Sequence, residues 1–330
     1  MVVPKRLQIG DTIGVVATST PIIESGEATI ERGYDFLRAK GFKVQEGASC
    51  RLRVGHAAGT IEDRVADIHA LFRDPGIHAV MAFWGGLNTN ELLTSLDWDL
   101  IRANPKIVIG FSDTTALTTA ITKKTDLVTF SGPAVISFAK PDPFEYTWDS
   151  FYRTCIEPSE WTSVTPSATF ADDAYYLRTD SDHRIIQQNP GWRVFRSGRA
   201  EGRVIAGNLQ TLLTLVGTEF FPDVHGCVLC LEDDEQVSPA MVDRLFCQAR
   251  QSGLFDHAAG LLIGRFASSC GFSPNDSLDA ILEKNLAGYS FPVITDVDFG
   301  HTDPVITIPH GGTCRLDTNP VTIAFTQAVQ

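Results

Sequence analysis

Short apolar runs alternate with helical periodicity from residue 11 onward, and this alternation most restricts what the chain can become. Asp11 to Ala17, Phe42-Lys43-Val44, Ala79 to Trp84 and Ile107-Val108-Ile109 read as strands. Between them, Ile23 to Lys40 carries apolar residues at helical spacing, and Thr60-Ile61-Glu62-Asp63 has the pattern of a capping box opening a helix over Ile61 to Phe72. Apolar strands separated by helices pair in parallel with both faces covered. The first ~150 residues therefore predict an open, doubly wound α/β sheet.

The middle of the chain breaks this rhythm. After a helix around Phe144 to Ile156, the stretch from Pro141 to Pro190 is rich in Pro, Ser, Thr, Asp and aromatic residues, Tyr175 and Tyr176 among them, and reads as a long connection. Regular patterning returns at Gly202. Strands are expected at Arg203 to Ala206, Gly226 to Leu231, Ala259 to Gly264 and Pro292 to His301, with helices at Pro239 to Ser252 and Asp276 to Leu286. The end, Val305 to Ala328, looks β-rich. The expected division is 1–160 as an N-terminal domain, 161–200 as a connecting loop segment and 201–330 as a C-terminal domain.

Composition removes several function classes. A net charge of −13 disfavours a nucleic acid polymer or an anionic membrane as main partner. No apolar run approaches the roughly 20 residues of a membrane span, and the N-terminus has no signal-peptide core. The seven cysteines are scattered in apolar settings, as in a reduced cytoplasmic protein. Cys227 and Cys230 have metal-site spacing but lie in a strand, which points them to opposite faces. No dinucleotide fingerprint, HExxH or Cys/His cluster is present, so no cofactor and no metal is expected.

In open α/β sheets ligands bind beyond the carboxyl ends of the strands. Small polar residues and glycines gather there: Thr18-Ser19-Thr20, Gly85-Gly86 and Ser112-Asp113. Ser112 follows a buried strand and precedes a helix, where free backbone N–H groups can hold an oxyanion; it also fits a simple helix cap. Glu232 and His301 end two later apolar strands. Nucleophile, base and carboxylate make a set suited to acyl transfer. Each has a plainer reading, since Glu232 opens an acidic run and seven other histidines compete with His301. Ser112 also lacks the second glycine of a GxSxG elbow, having Thr114 in its place. Trp192, between Pro190-Gly191 and Arg193, suits either a structural plug or a stacking surface for a planar ligand.

Several motifs taken together resemble the LD-carboxypeptidase family of serine peptidases. They are Ala58-Gly59-Thr60 with Arg64 and Asp67, the Gly85-Gly86 turn, Gly110-Phe111-Ser112-Asp113, Gly207-Asn208-Leu209, Leu231-Glu232-Asp233 and Asp298-Phe299-Gly300-His301-Thr302-Asp303-Pro304. The resemblance implies a Ser112–Glu232–His301 triad and an oxyanion hole from the N–H groups of Gly86 and Asp113. It implies a Rossmann-like N-terminal domain, a β-rich α/β C-terminal domain, and a homodimer. Trp84-Gly85-Gly86-Leu87-Asn88-Thr89-Asn90 is similar to the microcin C self-immunity (MccF-like) branch, and departs from the Arg-Gly-Gly-Tyr-Gly turn of murein enzymes. That branch implies a cytoplasmic hydrolase acting on a small peptidyl- or aminoacyl-nucleotide. Gly85, Asn88, Trp192 and Asn208 would then bind substrate, with Trp192 stacking on the base. Murein tetrapeptide cleavage with D-alanine release, and an inactive nucleotide- or peptide-binding protein, are the alternatives.

Overall fold

The computed structural model describes residues 1–142, 144–175 and 183–330; Tyr176 lies outside them. In chain order the strands are β1 (Thr12–Val16), β2 (Lys43–Glu46), β3 (Ile77–Ala82), β4 (Ile107–Gly110), β5 (Thr129–Ser131), β6 (Trp161–Val164), β7 (Thr169–Phe170), β8 (Gln187–Gln188), β9 (Arg193–Arg196), β10 (Arg199–Asn208), β11 (Cys227–Glu232), β12 (Gly260–Gly264), β13 (Val293–Val297), β14 (Ile308–His310), β15 (Thr313–Thr318) and β16 (Val321–Thr326). They form a six-stranded sheet, β14-β5-β4-β3-β1-β2, an eight-stranded sheet, β6-β16-β15-β10-β11-β12-β13-β9, and a small β7-β8 pair. The fold is α/β, with a doubly wound parallel sheet in the N-terminal region and a separate β-rich C-terminal sheet.

In the first sheet β1 to β5 run parallel. Alternate side chains feed two cores. Ile13, Val15, Met81 and Ile109 pack with Ile30, Leu37 and Phe138, while Val16, Val80 and Val108 pack with Ile68, Phe72 and Leu117. Each such fully buried side chain contributes about 1.5–3 kcal/mol relative to exposure. The second sheet alternates in the same way. Cys227 and Leu229 face one core and Val228 and Cys230 the other, and all seven cysteines are free thiols.

Three departures from the sequence reading matter for the site. First, 161–200 is more than a connecting loop: β6 pairs with β16 and β9 with β13, so its ends are edge strands of the second sheet. Their polar, half-exposed residues hide the strand pattern. Second, β14 comes from the C-terminal part of the chain yet pairs antiparallel with β5 in the first sheet. Third, the helix Thr114–Thr125 is pinned to the second sheet, because the Asn208 N–H donates to Thr115 Oγ1 at 2.9 Å. Gly207 makes this possible, since a Cβ there would lie 2.3 Å from the Thr115 methyl. Strand exchange and helix docking together fix the carboxyl ends of the two sheets against each other. Among the described residues no helix is long and apolar enough to cross a membrane.

Candidate active site

Within the parallel part of the first sheet, the strand order reverses between β1 and β3. Crevices at such switch points are where open α/β sheets bind ligands. Here the loops after β1, β3 and β4 meet the acidic turn after β11 around a cavity of about 300 Å³. Ser112, Gly85, Gly86 and His301 all line it.

Ser112 adopts φ +58°, a left-handed conformation that costs a non-glycine residue about 1–3 kcal/mol. It follows β4 by two residues and is succeeded at once by the helix Thr114–Thr125. This is the geometry of a nucleophile elbow without its second glycine. Gly110 supplies the room instead: a Cβ there would lie 2.8 Å from the Thr114 methyl. The Gly85-Gly86 turn presses on the serine, since a Cβ on Gly85 would lie 2.8 Å from Ser112 Oγ and 3.1 Å from the Asp113 nitrogen. Among the described residues neither the Gly86 nor the Asp113 N–H has an acceptor within the protein.

A polar network holds this turn. Ser19 Oγ accepts the N–H groups of Leu87 and Asn88 at 2.9 and 3.1 Å and donates to Asn88 Oδ1. Asn88 Nδ2 donates to Glu91 at 2.7 Å. Glu91 is paired with Arg64, whose side chain is 1% exposed and which also donates to the Thr18 carbonyl at 2.9 Å. Asp113 occupies the cap position of the helix without capping it; its carboxylate accepts the Thr89 N–H at 2.8 Å. Asn88 thus helps to fold the turn that borders the cavity.

Glu232 ends β11 and is buried. His301 lies four residues past the end of β13, rather than at the strand end itself. Its Nδ1 is 2.6 Å from Glu232 Oε2, and Nε2 has no protein partner among the described residues. Gly300 and Gly264 permit this approach: a Cβ on either would lie 2.8 Å from Glu232 Cβ. The Phe111 ring meets the imidazole edge to face at 5.1 Å. Burial disfavours the imidazolium, but the adjacent Glu232 charge and hydrogen bond, helped by Glu235 and Asp234, outweigh it and raise His301 to about 9. Beside this pair, burial and then repulsion from Glu232 push the Asp233 carboxyl up to about 7.

Asn208 and Trp192, also expected to meet substrate, are held by partners within the protein. Asn208 is buried at the start of the helix Leu209–Thr214, where Oδ1 caps the Thr211 N–H at 2.9 Å and Nδ2 donates to Asp233 at 3.3 Å. It braces the acidic turn. Trp192 donates its indole N–H to Asp298 at 2.8 Å, packs against the core of the second sheet and is not among the described residues that line the cavity. Among the described residues, the Phe111 and Trp84 rings line the cavity, the latter held by a 2.9 Å hydrogen bond to the Thr20 carbonyl. The position of Trp84, directly before the glycine pair, was the signal that could have marked it.

Residues 13–132 match the model of the LD-carboxypeptidase N-terminal domain, and 201–316 that of its C-terminal domain. The chain belongs to the LD-carboxypeptidase family. Members of this family are serine peptidases, and this chain is a hydrolase of that class. The microcin C7 self-immunity protein MccF of Escherichia coli is 34% identical over 331 residues, covering 97% of this chain and 94% of MccF. The MccF-like protein of Bacillus anthracis superposes with a TM-score of 0.92 at 33% identity, over 99% of this chain and 100% of that one. MccF structures with aspartyl sulfamoyl adenosine and with glutamyl sulfamoyl guanosine each superpose with a TM-score of 0.92 at 33% identity, over all of both chains. The murein tetrapeptide carboxypeptidase of Pseudomonas aeruginosa is more distant, 26% identical over 93% of this chain and 94% of its own length.

Proposed function

We propose that this LD-carboxypeptidase family member is an MccF-like hydrolase that splits an aminoacyl group from a modified nucleotide, and so detoxifies aminoacyl-nucleotide inhibitors. The observation that carries the reading is the 2.6 Å Glu232–His301 pair, which shares one cavity with a strained serine and a glycine turn. The greater likeness to MccF than to the Pseudomonas murein enzyme favours the nucleotide substrate.

In this mechanism the neutral form of His301, whose share grows as pH rises toward about 9, takes the Ser112 proton at Nε2 as Oγ attacks the aminoacyl carbonyl. The carbonyl oxygen becomes an oxyanion held by the Gly86 and Asp113 N–H groups. His301 returns the proton to the departing nitrogen of the nucleotide part. A water molecule, deprotonated by the same imidazole, then cleaves the acyl-serine ester. Glu232 holds the imidazole by Nδ1 and stabilises its charged form. Gly85 contributes by shape, leaving room for the carbonyl above Ser112.

The test is turnover of aminoacyl sulfamoyl adenosines that differ in the aminoacyl group. Mass spectrometry would follow free amino acid and sulfamoyl adenosine as the two products. Wild type releases both and Ser112→Ala does not. Release of D-alanine from a murein tetrapeptide, with no sulfamoyl adenosine turned over, would instead assign the murein reaction. Intact nucleotide binding with no turnover of any substrate would make this an inactive binding protein. The same reading carries a homodimer, which sedimentation equilibrium tests directly.

A further inference from the structure

Ser112 and the Glu232–His301 pair come from different sheets. Ser112 follows β4 of the first sheet, while Glu232 ends β11 and His301 follows β13 of the second. The Glu232–His301 contact therefore orients the imidazole within the second sheet and does not fix how far it stands from Ser112. That spacing depends on how the chain beyond His301 is held as it crosses to the first sheet, where it enters as β14.

Between His301 and β14 the crossing carries one charged residue, Asp303, and it is buried. A single carboxylate oxygen, Oδ2, accepts from two cations on different parts of the chain. Lys140 Nζ reaches it from just past the helix Val135–Phe138, and Arg184 Nη2 reaches it at 2.7 Å from the connecting segment. All three side chains are at most 10% exposed. Arg184 is also paired with Asp173 at 2.8 Å. Burial alone would push the Asp303 carboxyl up, but the charges of Lys140 and Arg184 outweigh it and hold it below the usual carboxylate range. The backbone is tied as well: Asp303 and Ala171 exchange both of their N–H···O=C bonds at 2.8 Å.

The Lys140 end of this bridge stands on the cavity wall. Ala139 packs on the helix Glu27–Ala39 at Gly33, where a Cβ would lie 3.2 Å from the Ala139 methyl, and its carbonyl accepts from Arg32 Nη1 at 3.2 Å. Ile136 donates its N–H to the Phe83 carbonyl at 2.9 Å and lines the Ser112 cavity beside Trp84 and the glycine pair. Buried ion pairs add little net stability, and their best-attested use is to fix one arrangement against its alternatives.

Building on the catalytic roles proposed above, we infer that Asp303 is a positioning residue: its bridge to Lys140 and Arg184 sets the reach of His301 Nε2 to Ser112 Oγ across the junction of the two sheets. A misplacement of about 1 Å between reacting groups can cost about 10²-fold in rate.

The experiment measures kcat and KM for an aminoacyl sulfamoyl adenosine, the His301 ring-proton titration and the thermal midpoint, all in the full chain. The variants are Asp303→Asn, Lys140→Met and Ser150→Ala. Ser150 is the control: its Oγ accepts the Thr307 N–H at 2.9 Å further along the same crossing, with no charge involved. Asp303→Asn and Lys140→Met are expected to lower kcat at least tenfold with KM within threefold of wild type. The His301 midpoint stays within half a unit, because the acidic groups that raise it are Glu232, Glu235 and Asp234. Ser150→Ala lowers the thermal midpoint and keeps kcat within twofold. If Asp303→Asn does not fold, Lys140→Met decides alone. A kcat within threefold of wild type in both charge variants, an equal loss in Ser150→Ala, or a His301 midpoint that falls along with kcat would overturn the inference and leave the hydrolase reading intact. If wild type turns over only a muropeptide, the nucleotide reading falls and the same comparison on the muropeptide decides the role of Asp303. A wild type that turns over neither substrate would overturn both.

Discussion

Replacing Glu232 by glutamine keeps the shape of the Glu232–His301 contact and removes its charge. Burial by itself drives the imidazole toward the neutral form. Glu232 supplies the two largest opposing effects, its charge and its hydrogen bond, and Glu235 and Asp234 supply smaller ones. With Glu232 neutral, His301 is expected to fall well below about 9. Each unit of that fall corresponds to about 1.4 kcal/mol of lost preference for the imidazolium. Glutamine also holds the imidazole in the wrong tautomer, and together the two losses should lower kcat by about 10⁴-fold, as for a serine-protease triad whose aspartate becomes asparagine. The assay is a ring-proton NMR titration, with His301→Asn used to assign the signal among the eight histidines. A Glu232→Gln titration midpoint within half a unit of wild type would refute the reasoning, since burial and not the carboxylate would then set the imidazole.

The same shift makes a prediction about stability. His301 binds its proton more tightly folded than unfolded, so its contribution is complete below about pH 6.5 and is lost as pH rises through about 9. Thermal midpoints measured across that window should fall more in wild type than in His301→Asn. Gly85→Ala places a methyl group 2.8 Å from Ser112 Cβ and Oγ; kcat should fall at least about 100-fold, as when an oxyanion donor is lost, and the overpacking should cost about 1–3 kcal/mol in urea unfolding. Arg64→Met leaves Glu91 without its buried partner. Because Glu91 is 37% exposed and can be solvated, the change should cost about 1.5–3 kcal/mol in urea unfolding, the worth of hydrogen bonds to a charged group, and lower activity through the Asn88–Ser19 turn.

Features built from local chemistry were the most legible in the sequence. The Thr60 capping box, with Asp63 reaching back to the Thr60 N–H, forms as its spacing predicts. The β4–Ser112–helix junction does too, because a strand, a turn and a helix of consecutive residues encode it. What stayed hidden depends on residues distant in the chain. Nothing in Ile308–His310 says that this short strand leaves its neighbours to pair with β5. The side chain of Asp113 looks like a cap until Thr89 is brought within 2.8 Å of it. The sequence leaves Trp192 open as a plug or a ligand-facing ring and marks Trp84 only as the residue before the glycine pair. Only folding shows that Asp298 claims the first and that the Gly85-Gly86 turn sets the second in the cavity wall. The acidic run at Glu232 divides in the same way: Glu232 turns inward to His301, while Asp234 and Glu235 line the cavity.

The central claim is that Ser112 carries the acyl group during turnover. Rapid acid quench of the enzyme with an aminoacyl sulfamoyl adenosine, followed by peptide mass spectrometry, tests it most directly. An aminoacyl ester is expected on the peptide containing Ser112, absent from Ser112→Ala, which also fails to turn over. Product formation in Ser112→Ala at the wild-type rate, or an ester on another residue, would contradict it.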